Sequence, residues 1–412
     1  MSGLRKRRDM LRALGTIGVA SVAGCVGGGD GGSTNRTIQV GMLAAETGDL
    51  SSVGVPLRDV GLLPRTQFDD ADTDFEVDIQ VEDSQTDPQA AIAGAEALVD
   101  AGYPCVNGPL SSENTIQVTE QVYRPRQVVC CSPGSTSPAI TTLQDDDFVF
   151  RTISSDAFQG RALADLARTE ADASTVSVIY INDAYGQALE ETFVEEFEDG
   201  GGEILESIAI QTEQQSYSSQ LEQVMADDPD ALFVVAFPAS ATTLLRNFYS
   251  NHSRDTPILG PDSLRDPELP GSVGQEMTNV MGVSSVAAGT GQEFVANLYQ
   301  DEYGEDTPPF FSYVYDATAV LVLANAAAGE NEGPAVRDQM RPVANPGGEE
   351  ITPESLVDGV EMAAEREEIQ YQGASSNVVF DENGDMSSVN YAVYQYTADG
   401  AVENVDQIEF EK

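Results

Sequence analysis

Two segments rich in serine and threonine contain the residue types best suited to binding a small ligand. Residues 108–115 end one apolar run and open a helical pattern, and residues 132–138 follow the next apolar run. Both place hydroxyl groups beside backbone N–H groups that a helix leaves without partners, and such groups bind carboxylates. The alternative is ordinary helix capping by Ser111 or Ser112, which would use these hydroxyls without any ligand.

Other residue types exclude several kinds of chemistry. His252 is the only histidine, which excludes histidine-rich zinc sites and argues against histidine-dependent nucleophilic catalysis. Residues 381–385 have the acidic character of a calcium loop, but their glycine is fourth rather than sixth. A hairpin turn is therefore favoured over a bound cation. We expect no enzymatic activity, no cofactor and no metal.

Three cysteines, Cys105, Cys130 and Cys131, lie in apolar runs that are typical of buried strands. Because three is an odd number, they cannot all pair with one another. We favour free, buried thiols. A disulfide from Cys105 to Cys130 or Cys131 is the alternative.

The first 25 residues predict export and lipid attachment. The pair Arg7-Arg8 in a basic start resembles a twin-arginine signal, and the apolar stretch after it is shorter than the about 20 residues that span a bilayer. We predict a signal peptide over 1–24, a lipidated Cys25 and a glycine-rich tether over 25–36. The protein would then be anchored to the outer face of the cell membrane. An uncleaved amphipathic N-terminus with an incidental cysteine is the alternative.

The chain is strongly acidic, with 69 Asp and Glu against 20 Lys and Arg and a formal net charge of −49. Such a charge destabilises a compact fold in dilute salt. Molar salt screens it, because the Debye length falls to about 3 Å. We interpret the composition as adaptation to hypersaline water. A disordered acidic chain is the alternative, but 41% hydrophobic residues are typical of a globular protein. Nucleic acid is a poor partner for a protein with so negative an electrostatic field.

Short apolar runs alternate with helical patterns along most of the chain. The predicted strands are 38–43, 75–81, 104–106, 128–131, 176–181, 204–210, 232–237 and 258–260. The predicted helices are 55–68, 88–101, 112–123, 185–198, 218–226, 239–251 and 354–367, with a helical region over 293–328. Residues 329–353 are rich in glycine, proline and acid and predict a loop. Residues 377–410 predict strands joined by turns.

This alternation indicates an α/β fold of parallel strands and crossover helices. The pattern is too long for one open sheet with one core, so we predict two doubly wound lobes with mostly parallel sheets. In such sheets ligands bind beyond the carboxyl ends of the strands. Two lobes that face each other by those ends would enclose a cleft.

Several motifs, taken in order and spacing, resemble the leucine/isoleucine/valine-binding protein family over nearly all of residues 37–410. They are Gly108-Pro109-Leu110-Ser111-Ser112, residues 132–138, Phe150-Arg151-Thr152, Tyr185-Gly186, Tyr315-Asp316-Ala317 and residues 380–384. The resemblance implies a type I periplasmic-binding fold with three crossing segments. It places lobe 1 at 37–153 and 286–390, and lobe 2 at 154–285 and 391–412.

The resemblance also implies a set of ligand contacts. Ser112 and Thr136 match positions that hold the ligand carboxylate, and Gly134 matches one that binds it through the backbone. Tyr185 matches a tyrosine that closes from the opposite lobe. Phe310 matches a pocket aromatic.

Two departures from the family pattern bear on the ligand. A wall aromatic of the family is replaced by Val53, which leaves more room. The family's glutamate for the ligand ammonium falls at Ser240, and a buried ammonium without a carboxylate would be costly. Either another acid substitutes, with Asp262 the first candidate, or the ligand has no ammonium. Turn chemistry beside Pro261 is the alternative role for Asp262.

The resemblance implies a solute-binding lipoprotein of an ABC importer, which presents its ligand to permease subunits. The ligand would be a branched-chain or other amino acid, an amide or a carboxylate, and the protein a monomer. The alternative is a lipid-anchored receptor that signals to a chemotaxis transducer.

Overall fold

The computed structural model describes residues 36–411. The predicted signal peptide, the lipidation residue Cys25 and nearly all of the predicted tether lie outside the described residues.

Five parallel strands form the first sheet, in the order β2-β1-β3-β4-β5. These strands are β1 Arg36–Ala44, β2 Phe75–Asp83, β3 Cys105–Asn107, β4 Val129–Ser132 and β5 Val149–Arg151. The helices between them are α1 Ser51–Asp69, α2 Pro88–Asp100, α3 Ser112–Val118, α4 Arg124–Arg126 and α5 Pro138–Thr141. Each strand is therefore joined to the next by a helical crossover that keeps the two strands parallel, as the alternating pattern predicts.

Seven strands form the second sheet, in the order β14-β13-β10-β9-β8-β6-β7. They are β6 Thr175–Ile181, β7 Glu203–Ile210, β8 Ala231–Val235, β9 Ile258–Gly260, β10 Val280–Ser285, β13 Ser388–Tyr396 and β14 Val402–Glu411. The helices are α6 Asp156–Thr169, α7 Ala184–Asp199, α8 Ser218–Val224, α9 Pro238–Asn251 and α10 Leu269–Val273. The ladders from β6 to β10 are parallel, and β13 and β14 add an antiparallel edge.

After β10 the chain returns to the first sheet and packs on the same face as α1, opposite α2 and α3. The elements are α11 Gln292–Tyr303, α12 Phe311–Ala328, α13 Gly333–Ala344, β11 Glu349–Ile351, α14 Leu356–Ala364 and β12 Ile369–Tyr371. We define lobe 1 as the first sheet with α1–α5 and α11–α14, and lobe 2 as the second sheet with α6–α10. The chain crosses between the lobes after β5, after β10 and before β13. The predicted α/β class and its mostly parallel sheets are confirmed. Strand β13 begins at Ser388, two residues before the predicted lobe boundary at 390.

The loop predicted over 329–353 is wrong, because this stretch contains helix α13 and strand β11. Val336, Met340 and Val343 are buried at helical spacing against the lobe 1 core. Pro334 lies in the first turn, where a missing N–H costs nothing. Reasoning from composition therefore missed this short amphipathic helix, because the stretch is rich in glycine, proline and acid.

Helix α12 is the one described helix that is long and apolar enough to cross a membrane by length and composition. Some 83% of that segment is buried within the protein, between the first sheet and helices α1, α13 and α14. Its apolar surface on all sides is what a central core helix requires.

The thiols of Cys105, Cys130 and Cys131 are free and fully buried in β3 and β4, as favoured above. Burial raises the pKa of Cys105 to about 12, so its thiol stays protonated at neutral pH.

Candidate functional site

The carboxyl ends of strands from both lobes face one cavity of about 720 Å³, its open mouth included. All seven ligand-binding positions named from the sequence line it: Val53, Ser112, Gly134, Thr136, Tyr185, Asp262 and Phe310. The wall also contains residues not singled out from the sequence, among them Leu50, Leu57, Leu110, Ile153, Phe237, Arg265 and Asp266. The structure thus brings together residues that lie more than 250 positions apart in the chain.

On the lobe 1 side, Ser112 is the first residue of α3 and its hydroxyl oxygen accepts the Ser137 backbone N–H at 3.2 Å. Because that contact uses a lone pair, the Ser112 hydroxyl hydrogen remains available to a ligand. Ser111 is the N-cap residue but makes no side-chain capping bond. The capping alternative therefore does not account for either hydroxyl.

The loop that carries Gly134 and Thr136 is held from behind by Arg151. The Arg151 guanidinium is fully buried and donates to the carbonyl oxygens of Ser135 at 3.1 Å and Ser137 at 3.0 Å, on either side of Thr136. It also forms an ion pair with Asp385 at 2.6 Å. These bonds fix the backbone that presents Gly134 and Thr136 to the cavity.

On the lobe 2 side, Tyr185 lies in the first turn of α7 and is 5% exposed. Its ring stacks on Phe237 with centroids 5.6 Å apart, and its hydroxyl donates to Ser263 at 3.1 Å. Burial raises the pKa of Tyr185 well above its usual value. The phenol therefore stays neutral, and because its one hydrogen is donated to Ser263, its oxygen can accept a hydrogen bond from a ligand.

Asp262 follows β9 and contributes a buried carboxylate to the wall. Its two oxygens accept the Ser285 backbone N–H at 2.7 Å and the Ser285 hydroxyl at 3.2 Å. Burial raises the pKa of Asp262. The residue therefore braces the crossing after β10 and also places negative charge beside the cavity.

Ser240, the position that the resemblance aligns with the family's glutamate, is fully buried and is not among the described residues that line the cavity. Its hydroxyl donates to Asp49 at 2.6 Å and is contacted by Tyr217 at 3.1 Å. Asp262, the acid expected to substitute for that glutamate, lines the cavity, and so does Asp266.

The sequence profile of the periplasmic binding proteins matches residues 37–401, most of the chain. The chain belongs to the periplasmic binding protein family. It has the type I periplasmic-binding fold, and it is similar to leucine-binding proteins.

Known relatives of this periplasmic binding protein differ in their named roles. It is 26% identical, over 78% of its own length and 76% of the relative's, to the chemotactic signal transduction system substrate-binding protein BasB of Halobacterium salinarum. The leucine-binding protein LivK of Thermotoga maritima shares 21% identity and a TM-score of 0.76, covering 90% of this chain and 98% of that one. A Rhodopseudomonas palustris solute-binding protein bound to 3,4-dihydroxybenzoic acid shares 18% identity and a TM-score of 0.73, covering 91% and 97%.

Arg265 is a wall residue of this periplasmic binding protein that sequence reasoning missed. One guanidinium nitrogen donates to Asn404 at 3.0 Å, while the buried Nε has no hydrogen-bond partner within residues 36–411. The sequence hint was its position three residues after Asp262, the acid already named as a site candidate. The hint was weak, because Arg265 follows a single 3-10 turn, Asp262–Leu264, and so short a turn has no sequence period.

Proposed function

We propose that this protein captures a small carboxylate solute, with an apolar amino acid the leading candidate, in the cavity between its lobes. The observation that carries the proposal is the convergence of Ser112, Gly134 and Thr136 from lobe 1 with Tyr185 and Asp262 from lobe 2. Neutral donors on one side suit a carboxylate, and an acid on the other suits an ammonium.

The rest of the wall supports a ligand with an apolar body. Leu50, Val53, Leu57 and Phe310 lie together on the lobe 1 side of the cavity. Apolar walls with a few placed polar groups are typical of small-molecule sites. The relatives are named for leucine binding or were found with an aromatic carboxylate. Both ligands are small carboxylates with an apolar portion.

Binding by closure of the two lobes follows from the contacts that join them. The Asp49 carboxylate of lobe 1 accepts a backbone N–H from helix α9 of lobe 2. The Glu113 carboxylate of lobe 1 likewise accepts the Ala184 N–H of helix α7 at 3.2 Å. A ligand that contacts both lobes stabilises the closed form, because only differential affinity shifts such an equilibrium.

Delivery to the permease subunits of an ABC importer is the proposed purpose of capture, with the protein acting as a monomer without enzymatic activity. Lipid attachment at Cys25 would keep it on the outer face of the membrane. Sensing is the second candidate, favoured by the relative named for chemotactic signal transduction. Loss of solute uptake in a deletion strain supports transport, whereas loss of attraction with uptake intact supports sensing.

The net charge of −49 bears on the conditions for binding. We propose that molar salt removes long-range repulsion of an anionic ligand while leaving hydrogen bonds in place. The affinity for an anionic ligand such as 4-methylpentanoate or benzoate should then rise from low to molar KCl. A flat titration, with the fold shown intact by circular dichroism, contradicts this proposal.

A thermal-shift screen in molar KCl tests capture directly. Leucine, isoleucine, 4-methylpentanoate and benzoate are the first probes, and a ligand that binds the folded state raises Tm. Ser112→Ala should abolish most of the shift. Ser219→Ala, on the exposed surface of α8, is the matched control and should leave the shift unchanged. No shift with any amino acid or carboxylate would refute the proposed function.

A further inference from the structure

Asp156 is a buried carboxyl group directly behind the cavity. It is the first residue of α6, at the crossing after β5, and is 1% exposed. Its backbone N–H donates to the Thr136 carbonyl oxygen at 2.8 Å, and its carboxyl lies within hydrogen-bonding reach of the Thr136 hydroxyl. The second carboxyl oxygen, Oδ2, has no hydrogen-bond partner within residues 36–411.

The surroundings of this carboxyl contain no cation free to neutralise it among the described residues. The charged and titratable groups that face it, from β5, α7, the turn after β9 and β13, are Arg151, Tyr185, Asp262 and Tyr391. Arg151 is already paired with Asp385. Burial, together with the nearby Asp262, raises the pKa of Asp156 to about 8.

Thr136 connects Asp156 to the ligand because its hydroxyl has one hydrogen and lone pairs. When Asp156 is neutral, the acid donates to Thr136, and Thr136 donates into the cavity to a carboxylate. When Asp156 is ionised, Thr136 donates to Asp156 and presents a lone pair to the cavity. An ammonium can donate to that lone pair.

We propose that the Asp156–Thr136 pair is a reversible proton-linked contact that lets the cavity accept both amino acids and carboxylates that lack an ammonium group. Asp156 is a positioning residue that acts through Thr136. An incoming ammonium stabilises the Asp156 carboxylate, whose proton leaves to solvent. A ligand without an ammonium leaves the proton on Asp156. The inference rests on the proposed function, since it assigns the ligand classes of the same cavity.

Leucine and 4-methylpentanoate form a matched pair of probes, because they share the carboxylate and the branched chain and differ in the ammonium. Calorimetry at pH 7 in molar KCl, in two buffers of different ionisation enthalpy, gives the protons released on binding. Leucine should release up to about one proton more than 4-methylpentanoate. Groups that titrate on lobe closure, such as Asp183 near Glu113, contribute equally to both ligands and cancel.

Variants assign the proton to its residue. Asp156→Asn should abolish the difference between the two ligands, whereas Asp262→Asn should leave part of it, because Asp262 only contributes to the raised pKa of Asp156. Equal proton release in the wild type, or loss of the difference only in D262N, overturns the proposal. If D156N does not fold, the wild type alone decides: the leucine to 4-methylpentanoate affinity ratio should rise with pH, by at most about tenfold per unit between pH 6 and 8. A ratio independent of pH overturns the proposal.

A measurement without ligand separates this inference from the proposed function. Because the pKa of Asp156 is raised on folding, the wild type should lose stability as pH rises from about 4 towards 8. D156N lacks this ionisation, so its Tm should fall less over the same range. Parallel Tm profiles refute a neutral Asp156 even if neither probe binds. If neither probe binds but the profiles diverge, the proposed ligand class fails and the neutral acid is upheld.

Discussion

Asp49 of lobe 1 accepts two hydrogen bonds from Ser240 of lobe 2, one from the backbone N–H at 2.7 Å and one from the hydroxyl at 2.6 Å. Asp49 is 2% exposed and Ser240 is fully buried. The N-terminus of helix α9 is therefore capped by a carboxylate from the other lobe. A helix N-terminus favours an anion, so this contact joins the two lobes through the same physics on which the proposed carboxylate site at α3 relies.

Removal of this contact should weaken ligand binding without altering the ligand-contacting residues. Ser240→Ala leaves the Asp49 carboxylate one donor short, and a bond to a charged group contributes about 1.5–3 kcal/mol. We expect an affinity roughly tenfold to a hundredfold lower by calorimetry, mostly through faster dissociation. Thr243→Ala is the control, because that exposed hydroxyl bonds only to its own helix. Unchanged affinity in S240A would show that the contact does not contribute to closure.

A second contact between the lobes should make closure sensitive to pH. Asp183 caps α7 from within lobe 2, and Glu113 approaches the same helix end from lobe 1. Burial, with the Glu113 charge, raises the pKa of Asp183 to about 7. Closure therefore takes up a proton, and this contribution to affinity is lost as pH rises through about 7.

Glu113→Gln tests this linkage, since glutamine can still accept from Ala184. The affinity of the variant relative to wild type, measured with one ligand from pH 6 to 8, should rise with pH. Glu120→Gln, exposed just beyond the end of α3, should give a ratio that does not change with pH. A constant ratio in both variants would place the proton uptake elsewhere.

Val53 should set the size of ligand that the cavity accepts. It lies on α1 and lines the wall, at the position where the resemblance implies an aromatic residue in the family. Val53→Tyr fills that space, so phenylalanine and benzoate should lose at least about tenfold in affinity, while alanine and valine lose little. Val55→Tyr, on the exposed side of the same helix, is the control. Equal losses for large and small ligands would indicate distortion of α1 rather than filling of the cavity.

The two serine- and threonine-rich segments came from strand-end reasoning, because parallel strands bring their carboxyl ends to one end of the sheet, and the individual contact positions came from the family resemblance. That reasoning located Ser112, Thr136 and Tyr185 at one cavity. The resemblance left Ser240 without an acid and named Asp262 in its place, and Asp262 does line the cavity. It could not reveal Asp49, because a bond between lobes depends on their closed arrangement and has no sequence period.

Asp156 shows a different limit. The sequence places an acid after Arg151 and Thr152, but only the tertiary structure shows that one of its oxygens has no partner within the described residues. The burial of an acid and the number of hydrogen bonds it accepts decide whether its pKa stays ordinary or is raised so far that ligand binding can release its proton. Helix α13 was missed for a simpler reason, since its buried apolar residues lie in a stretch rich in glycine, proline and acid.

The buried ion pair between Arg151 and Asp385 should be the most costly single contact to break, and its loss should also reach the ligand loop. Arg151→Met leaves the Asp385 carboxylate without the guanidinium, which in buried pairs costs about 3–5 kcal/mol. Urea unfolding in molar KCl measures this loss. Arg126→Met removes an exposed pair with Asp100, at 2.8 Å, and should cost less than about 1 kcal/mol.

Adding Asp385→Asn to R151M should recover part of the stability, because the buried charge that lost its guanidinium is removed. It should not recover ligand affinity, since the carbonyls on either side of Thr136 still lack their donor; recovery of both would mean that Arg151 stabilises the fold without positioning the loop.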